Sequence, residues 1–322
     1  LKKRESILIN NRLKIAILGA TGHIAKGLVE NFITNTNHQL FLYSRSIDSF
    51  KNYPVKLPQK RATTLMNDSF KQYRYDAIVN CVGVGDPQKV KESGGRIFLI
   101  TEEFDQLVMN YLYEYPKCKY INFSSGAVYG KELNGIVSLE SEFKLAVNNI
   151  SDKDYYAIAK LNSEAKHRSF GELNIIDIRV FSYFSRYINL KTKYLITEIL
   201  DSILHGKTFV TDSNDIVRDY IGPKDLFNLV DHCLKYPNHL NLAIDVYSKE
   251  PVKKTQILKF FTSNFQLKWR VESGLKILNA TGMKSQYYST NKTAEIVGYK
   301  PASTSLEILG GEAKCILKKR KQ

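Results

Sequence analysis

Tyr156 and Lys160, in the stretch "DYYAIAKL" (154–161), have the residue types and spacing for proton transfer. A tyrosine phenol, with a pKa of about 10, exchanges its proton sluggishly at neutral pH. An ammonium close by favours the phenolate and brings the proton into working range. Residues four apart on a helix share a face, so both side chains can enter one pocket. The same Tyr-x-x-x-Lys spacing also starts at Tyr113, Tyr115, Tyr187, Tyr220 and Tyr288, close to what composition alone would give. Context removes those others. Pro116 interrupts the first two, and Gly222 with Pro223 interrupts the match at Tyr220. Tyr187 lies in an irregular stretch after a strand, and Tyr288 lies far along the chain from any cofactor strand. Only Tyr156 begins a run of good helix formers. Tyr155 points about 100° away round that helix and reads as a packing or substrate-contact residue.

A strand–turn–helix near the start has the form of a phosphate cradle. "LKIAILGA" (13–20) is a β-branched apolar run that stops at Gly19, and "TGHIAKGLVENFITN" follows with helical spacing. Gly19 permits a tight turn, Gly22 lets a pyrophosphate approach the backbone, and Ala25 allows close helix–sheet packing. The helix start supplies amide donors and a positive dipole end. Thr21, His23 and Ile24 complete the candidate cofactor turn, with no catalytic role assigned to His23. The competing reading is plain strand punctuation, since glycines end many strands.

The second strand candidate, "HQLFLYSR" (38–45), ends in Ser44, Arg45 and Ser46, with no acid before Asp48. A carboxylate there would hold the ribose 2′-hydroxyl of NAD, and would repel a 2′-phosphate. An arginine fork with flanking hydroxyls attracts one. NADP is therefore expected over NAD. The alternative is that Arg45 is a solvated strand-end charge.

Further along, "YDAIVNCVG" (75–83), "KYINFSS" (119–125) and "LNIIDIRVF" (173–181) read as strands. "EEFDQLVMNYLYEY" (102–115) and "DYYAIAKLNSEAKHR" (154–168) read as helices. Apolar strands alternating with helices predict an α/β fold, a Rossmann-type doubly wound parallel sheet. After residue 182 the rhythm changes, and "NLKTKYLITEILDSILHGK" (189–207) reads as one helix with a glycine stop. The expected organisation is a Rossmann domain over 1–181, with later strand and helix returns around 219–247. A smaller C-terminal α+β substrate lobe is expected from 182–218 and 248–322.

The net charge of +15 raises a nucleic-acid partner, but basic residues are spread over the whole chain and only the tail "KKRKQ" is dense. A basic pocket for a phosphorylated ligand fits better, and no nucleic acid is expected. Cys81, Cys118, Cys233 and Cys315 show no CxxC pair and read as reduced thiols of a cytoplasmic protein. The histidines are dispersed, so no metal site is expected. No apolar run approaches the roughly 20 residues of a membrane helix, and the start lacks the apolar segment of a signal peptide.

Taken with "INFSSGAVYG" (121–130), "YAIAK", "IRVF" (178–181), "RDYIGPKDL" (218–226) and "STNKTAEIVGYKPASTSLEIL", the glycine turn makes the chain resemble an extended short-chain dehydrogenase/reductase of the epimerase/dehydratase type. The resemblance covers nearly the whole length. It implies NAD or NADP, a nucleotide-diphosphate sugar as substrate and a homodimer through the helices at about 102–115 and 154–168. It implies catalytic roles for Ser125, Tyr156 and Lys160, the last two also touching cofactor. It places Asp68 by the adenine and Val82 and Gly83 in the loop flanking the cofactor. It gives Arg218 the substrate diphosphate, unless Arg218 pairs with Asp219 or Asp225. Ser125, Gly126, Ala127, Ser182 and Tyr183 fall around the substrate. Two departures lie there: "SDKDYY" lacks the usual proline, and "SYFSRY" (182–187) replaces an asparagine and Gly-Pro.

Dehydratases of this family carry Asp-Glu where this chain has Gly126-Ala127, and 4-epimerases usually retain NAD and an acid after the second strand. The expected activity is therefore NADPH-dependent reduction of a nucleotide-linked 4-keto-6-deoxy sugar in surface polysaccharide synthesis. A 4-epimerase with tightly bound NAD, or a non-catalytic NADP-binding regulator, are the alternatives.

Overall fold

The computed structural model describes residues 12–85, 87–130, 135–272 and 284–319. Seven short runs build one sheet: β1 (Lys14–Leu18), β2 (Gln39–Ser44), β3 (Ala62–Met66), β4 (Ala77–Asn80), β5 (Lys119–Ser125), β6 (Ile175–Val180) and β7 (Asn241–Asp245). Their order is β7-β6-β5-β4-β1-β2-β3, parallel throughout. The helices are α1 (His23–Asn35), α2 (Pro87–Ser93), α3 (Arg96–Glu114), α4 (Asp152–Ser169), α5 (Leu195–Leu204), α6 (Pro223–Lys235), α7 (Lys254–Phe265) and α8 (Ser305–Lys319).

Both faces of the sheet are covered. Ile15 and Ile17 enter one core with Leu28 and Phe32 of α1 and Phe227 and Val230 of α6. Ala16 and Leu18 enter the other, with Val108 and Leu112 of α3. Alternate side chains of a strand leave on opposite faces, so a strand buried on both sides reads as an unbroken apolar run. This is the doubly wound Rossmann arrangement that the sequence predicts. A third core, including Phe184, Leu200, Phe209, Phe261 and Leu309, gathers α5, α7 and α8. Among the described residues no helix is long and apolar enough to cross a membrane.

Two segments differ from expectation. The helix predicted over 189–207 is confined to Leu195–Leu204. The Tyr194 N–H donates to the Thr197 hydroxyl (2.9 Å), which closes the helix start, and the Asn189 carboxamide turns the chain before it by accepting from Lys191 N–H (3.1 Å). Helix α3 begins at Arg96, ahead of residue 102.

Register lines polar residues up across the carboxyl half of the sheet. Asn80 lies opposite Asn122, and Asn122 opposite Asp177. Ser124 lies opposite Arg179, and Arg179 opposite Asp245. Helix α4 covers these rows with a polar inner face of Lys160, Ser163, Glu164 and His167, all buried. His167 bolts the helix down: Nδ1 is 2.9 Å from Asp177 Oδ1 and Nε2 is 2.7 Å from Asp105 Oδ1. Burial opposes the imidazolium charge, but Asp177 and Asp105 outweigh it and raise the pKa to about 9.

A stability consequence follows with a definite sign. Below pH 6.5 the histidine is protonated folded or unfolded, and the cage contributes fully. As pH rises from about 6.5 to about 9, the unfolded ring is neutral while the folded one keeps its proton. Urea unfolding is expected to lose up to about 3 kcal/mol across that window. In His167→Asn this slope flattens.

Candidate active site

Helix α4 starts where Ser151 and Asp154 cap it: the Ser151 N–H donates to Asp154 Oδ2 at 2.9 Å. That start sets the helix phase and turns Tyr156 and Lys160 inward. Lys160 is 4 % exposed, and its Nζ donates to the Phe123 carbonyl at 2.9 Å. A Cβ built on Gly83 would lie 3.6 Å from that nitrogen, so the loop after β4 passes beside it. Ser125 ends β5, and its oxygen accepts the Ala127 N–H (3.1 Å), which leaves its hydroxyl hydrogen free to donate. Burial pushes the Tyr156 phenol up, and a hydrogen bond with Ser125 pulls it back. Ser125 and Tyr156 thus meet at the carboxyl end of the sheet, with Lys160 one turn further along α4 on the Phe123 carbonyl. Tyr155 turns away and packs on Phe98 of α3, ring centres 5.6 Å apart.

A second cluster stands against the first. The short strand Gln286–Tyr287 pairs with Val217–Arg218 and brings Tyr287 to Ser125, with which it shares a hydrogen bond. The Arg218 guanidinium lies 6.0 Å from the Tyr287 ring centre and Lys284 Nζ lies 5.0 Å from it. Arg218 donates to the carbonyls of Val217 (2.8 Å) and Lys284 (3.0 Å), and Lys284 donates to that of Gly130 (2.6 Å). Each is 6 % exposed, and among the described residues neither has a carboxylate within ion-pair distance. The pairing of Arg218 with Asp219 or Asp225 does not occur. Asp219 accepts from Ser248 N–H (3.0 Å) and the Ser305 hydroxyl (2.9 Å), and Asp225 from the N–H groups of Ala302 (2.9 Å) and Ser303 (3.1 Å). Burial, then Arg218, pushes Lys284 down to about 8. Two buried cations without a counter-charge are costly, and an anion between them removes the cost.

The dinucleotide cradle has the shape its chemistry needs. Gly19 has φ +67°, and a Cβ there would stand 3.1–3.2 Å from Val82 and the Cys81 backbone. Gly22 caps α1 without a side-chain hydrogen bond, so the first amides of α1 have no side-chain partner there. Thr21 and Ile24 flank it half-buried. His23 is pushed down to about 4 by burial and packs on the Tyr183 ring, centres 4.8 Å apart. Tyr183, expected near substrate, lies with its hydroxyl over Gly27 of α1, and Ser182–Tyr183 pairs with Tyr220–Ile221. At the end of β2, Ser44 Oγ donates to the Ser46 carbonyl (2.7 Å), Arg45 and Ser46 are exposed, and Asp48 pairs with Lys51 (2.8 Å). Asp68 is exposed in the turn after β3, and the Val82 N–H donates to Asn80 Oδ1 (3.0 Å). These groups suit a nicotinamide dinucleotide laid across the strand ends.

The model of the NAD dependent epimerase/dehydratase family matches residues 15–245. The chain belongs to this family. No curated protein matches the sequence. Among solved structures, UDP-N-acetylglucosamine 4-epimerase from Methanobrevibacter ruminantium M1, in complex with UDP-N-acetylmuramic acid, superposes with a TM-score of 0.78 at 16% identity, over 96% of this chain and 99% of that one. UDP-glucose 4-epimerase from Thermotoga maritima, with UDP-glucose, gives 0.76 at 13% identity, over 96% and 100%. dTDP-glucose 4,6-dehydratase from Bacillus anthracis str. Ames, in complex with NAD, gives 0.72 at 13%, over 96% and 97%. At such identities the likeness is one of fold.

Within this epimerase/dehydratase frame, Lys284 and Tyr287 are the residues that sequence reasoning missed. Tyr287 sits one position from Tyr288, which chain distance had set aside; the two-residue pairing onto Arg218 cancels that distance. Gly126 is fixed by packing, since a Cβ there would meet the Phe181 ring at 2.5–2.9 Å. Phe181 is wedged between Tyr129 (ring centres 6.1 Å) and Tyr287 (5.1 Å). Gly126→Ala is therefore expected to lower stability by about 1–3 kcal/mol in urea unfolding, and Gly126→Asp to lower it further.

Proposed function

We propose that the chain is an NADPH-dependent reductase of a nucleotide-diphosphate 4-keto-6-deoxy sugar, supplying sugars for surface polysaccharide. The observation that carries this reading is the buried Arg218–Lys284 pair beside Ser125 and Tyr156, with no carboxylate at ion-pair distance among the described residues. It suits a diphosphate whose attached sugar reaches the proton-transfer group. The exposed Arg45, with no acid at the end of β2, suits a 2′-phosphate and hence NADP. Gly19, Thr21, Gly22, Ile24, Ser44, Arg45, Ser46, Asp68, Val82, Gly83 and Lys160 would hold the coenzyme.

When bound, the reduced nicotinamide supplies a hydride to the sugar carbonyl carbon. Tyr156 gives its phenolic proton to the carbonyl oxygen as charge develops there. Lys160 stabilises the phenolate left behind, and Ser125 donates a hydrogen bond to the same oxygen. Arg218 and Lys284 anchor the diphosphate and fix the sugar's reach. Gly126 and Ala127 offer no carboxylate for removing water from the sugar, so dehydration is disfavoured.

A 4-epimerase with retained NAD is the second reading, favoured by the fold shared with two 4-epimerases. The free thiols Cys81, Cys118, Cys233 and Cys315 fit a cytoplasmic setting. A homodimer through α3 and α4 fits Leu99 and Tyr113, which α3 leaves exposed.

The test is turnover with nucleotide-linked 4-keto-6-deoxy sugars, NADPH or NADH. NADPH is expected to be consumed in preference, and Tyr156→Phe to lower kcat by about 10²–10⁴ with coenzyme binding intact. Arg45→Asp is expected to swing preference toward NADH. Interconversion of sugar epimers with no net coenzyme consumption would replace this reading with the second.

A further inference from the structure

Beneath the catalytic pair lies a buried charged layer that no step of the proposed reaction uses. It joins three elements. His167, on α4, faces Asp105 of α3 and Asp177 of β6. The Tyr120 hydroxyl of β5 donates to Asp105 (3.0 Å), and the Asn122 carboxamide donates to Asp177 (2.8 Å). Lys166 reaches Asp105 (2.6 Å) and Arg168 reaches Asp177 (2.7 Å) from the solvent side, with Glu102 also on Lys166 (2.8 Å). His167, Asp105 and Asp177 have side chains 0–2 % exposed, against 20 % and 32 % for Lys166 and Arg168.

With both aspartates ionised, each carboxylate only accepts hydrogen bonds, so a ring with a carboxylate on each nitrogen carries both protons. The triplet then has two negative charges and one positive, a net charge of minus one. Lys160 sits two helical turns earlier on the same face, about 10 Å along the axis. Its bond is to a carbonyl, and none of the described carboxylates touches it. The charged and titratable groups that act on it are Asp105 from α3, Asp177 from β6, Glu164 from its own helix, and Cys81 just after β4. Glu164 is committed to Arg179, at 2.5–3.1 Å. Lys166 and Arg168 meet the aspartates from the solvent side, 20 % and 32 % exposed, and are partly screened there, whereas Lys160 and the triplet are both buried.

We propose that the buried Asp105–His167–Asp177 triplet is a positioning unit that keeps Lys160 an ammonium ion. The two aspartates supply the negative charge, and His167 holds them in place without cancelling both. Burial pushes the Lys160 amine down, and Asp105 and Asp177 lead the charges that push it back up. The unit acts on the lysine itself, whatever sugar the enzyme takes.

The test reads Lys160 directly. In ε-13C-lysine NMR, with the resonance assigned by Lys160→Met, the lysine titration is followed in the wild-type protein and in Asp105→Asn/Asp177→Asn. The double substitution keeps shape but removes the net charge, so the Lys160 midpoint is expected to fall by about one pH unit. A role in packing alone would change stability and leave that midpoint in place. Should the double variant not fold, 15N spectra of the His167 ring in the wild-type protein decide. Both ring nitrogens protonated at pH 8 support the triplet. A neutral ring at pH 8, or an unchanged Lys160 midpoint in a folded double variant, overturns it.

Discussion

The proposed reaction depends on one buried lysine. For that reaction Lys160 has to be charged to draw the proton of Tyr156 into range, yet it is almost wholly removed from water. A lone ammonium in that position would lose its proton, because the neutral amine is cheaper to bury. One carbonyl, that of Phe123, satisfies a single N–H, and the remaining stabilisation has to come from the surroundings. This requirement explains why α4 has a polar inner face where a sheet-covering helix would ordinarily be apolar. The strands beneath likewise break their apolar runs at Asn80, Asn122, Ser124, Asp177 and Arg179.

The two groups of buried cations differ in a way that separates their roles. Around Lys160 the carboxylates of Asp105, Asp177 and Glu164 offset part of what burial costs its charge. Around Arg218 and Lys284 the described partners are carbonyls and an aromatic ring. Carbonyl dipoles orient a cation but supply no opposite charge. Among the described residues no carboxylate lies at ion-pair distance from either cation, which is the arrangement the proposed diphosphate would complete. The lowered Lys284 is the electrostatic record of that imbalance, since repulsion from Arg218 adds to its burial.

What was legible in the sequence was local. The glycine turn, five of the seven strands and the Tyr156–Lys160 spacing each depend on residues within about one element, so spacing and residue type suffice. The strand "KYINFSS" has the bounds the pattern implies because its two faces are buried against separate helices. The start of α5 was not legible, because the Thr197 hydroxyl that stops it competes with a pattern that is helical in hydrophobicity alone. Tyr287 and Lys284 were hidden for a different reason. Their place is set by a two-residue strand pairing across the fold, and nothing local to 284–287 announces it. Asp105, His167 and Asp177 come from three separate elements, and His167 looks isolated until α3 and β6 close on it.

The two parts of the candidate site are held in different ways. The glycine turn keeps its geometry because Gly19, at φ +67°, answers to a backbone constraint that other residues do not meet cheaply, and a Cβ on Gly22 would stand 3.1 Å from the Gly19 carbonyl oxygen. The substrate side is held by aromatic packing, with Phe181 pressed over Gly126 and stacked between Tyr129 and Tyr287. Tyr129 is itself tied to Asp245 and Arg179, and Asp245 also accepts from Ser289 (2.6 Å), two residues beyond Tyr287. The aromatic wall and the segment that carries Tyr287 are therefore anchored to the same aspartate. A change of substrate can proceed by altering side chains that face the sugar while this anchor stays fixed. That is why the sequence speaks more clearly about the coenzyme than about the sugar.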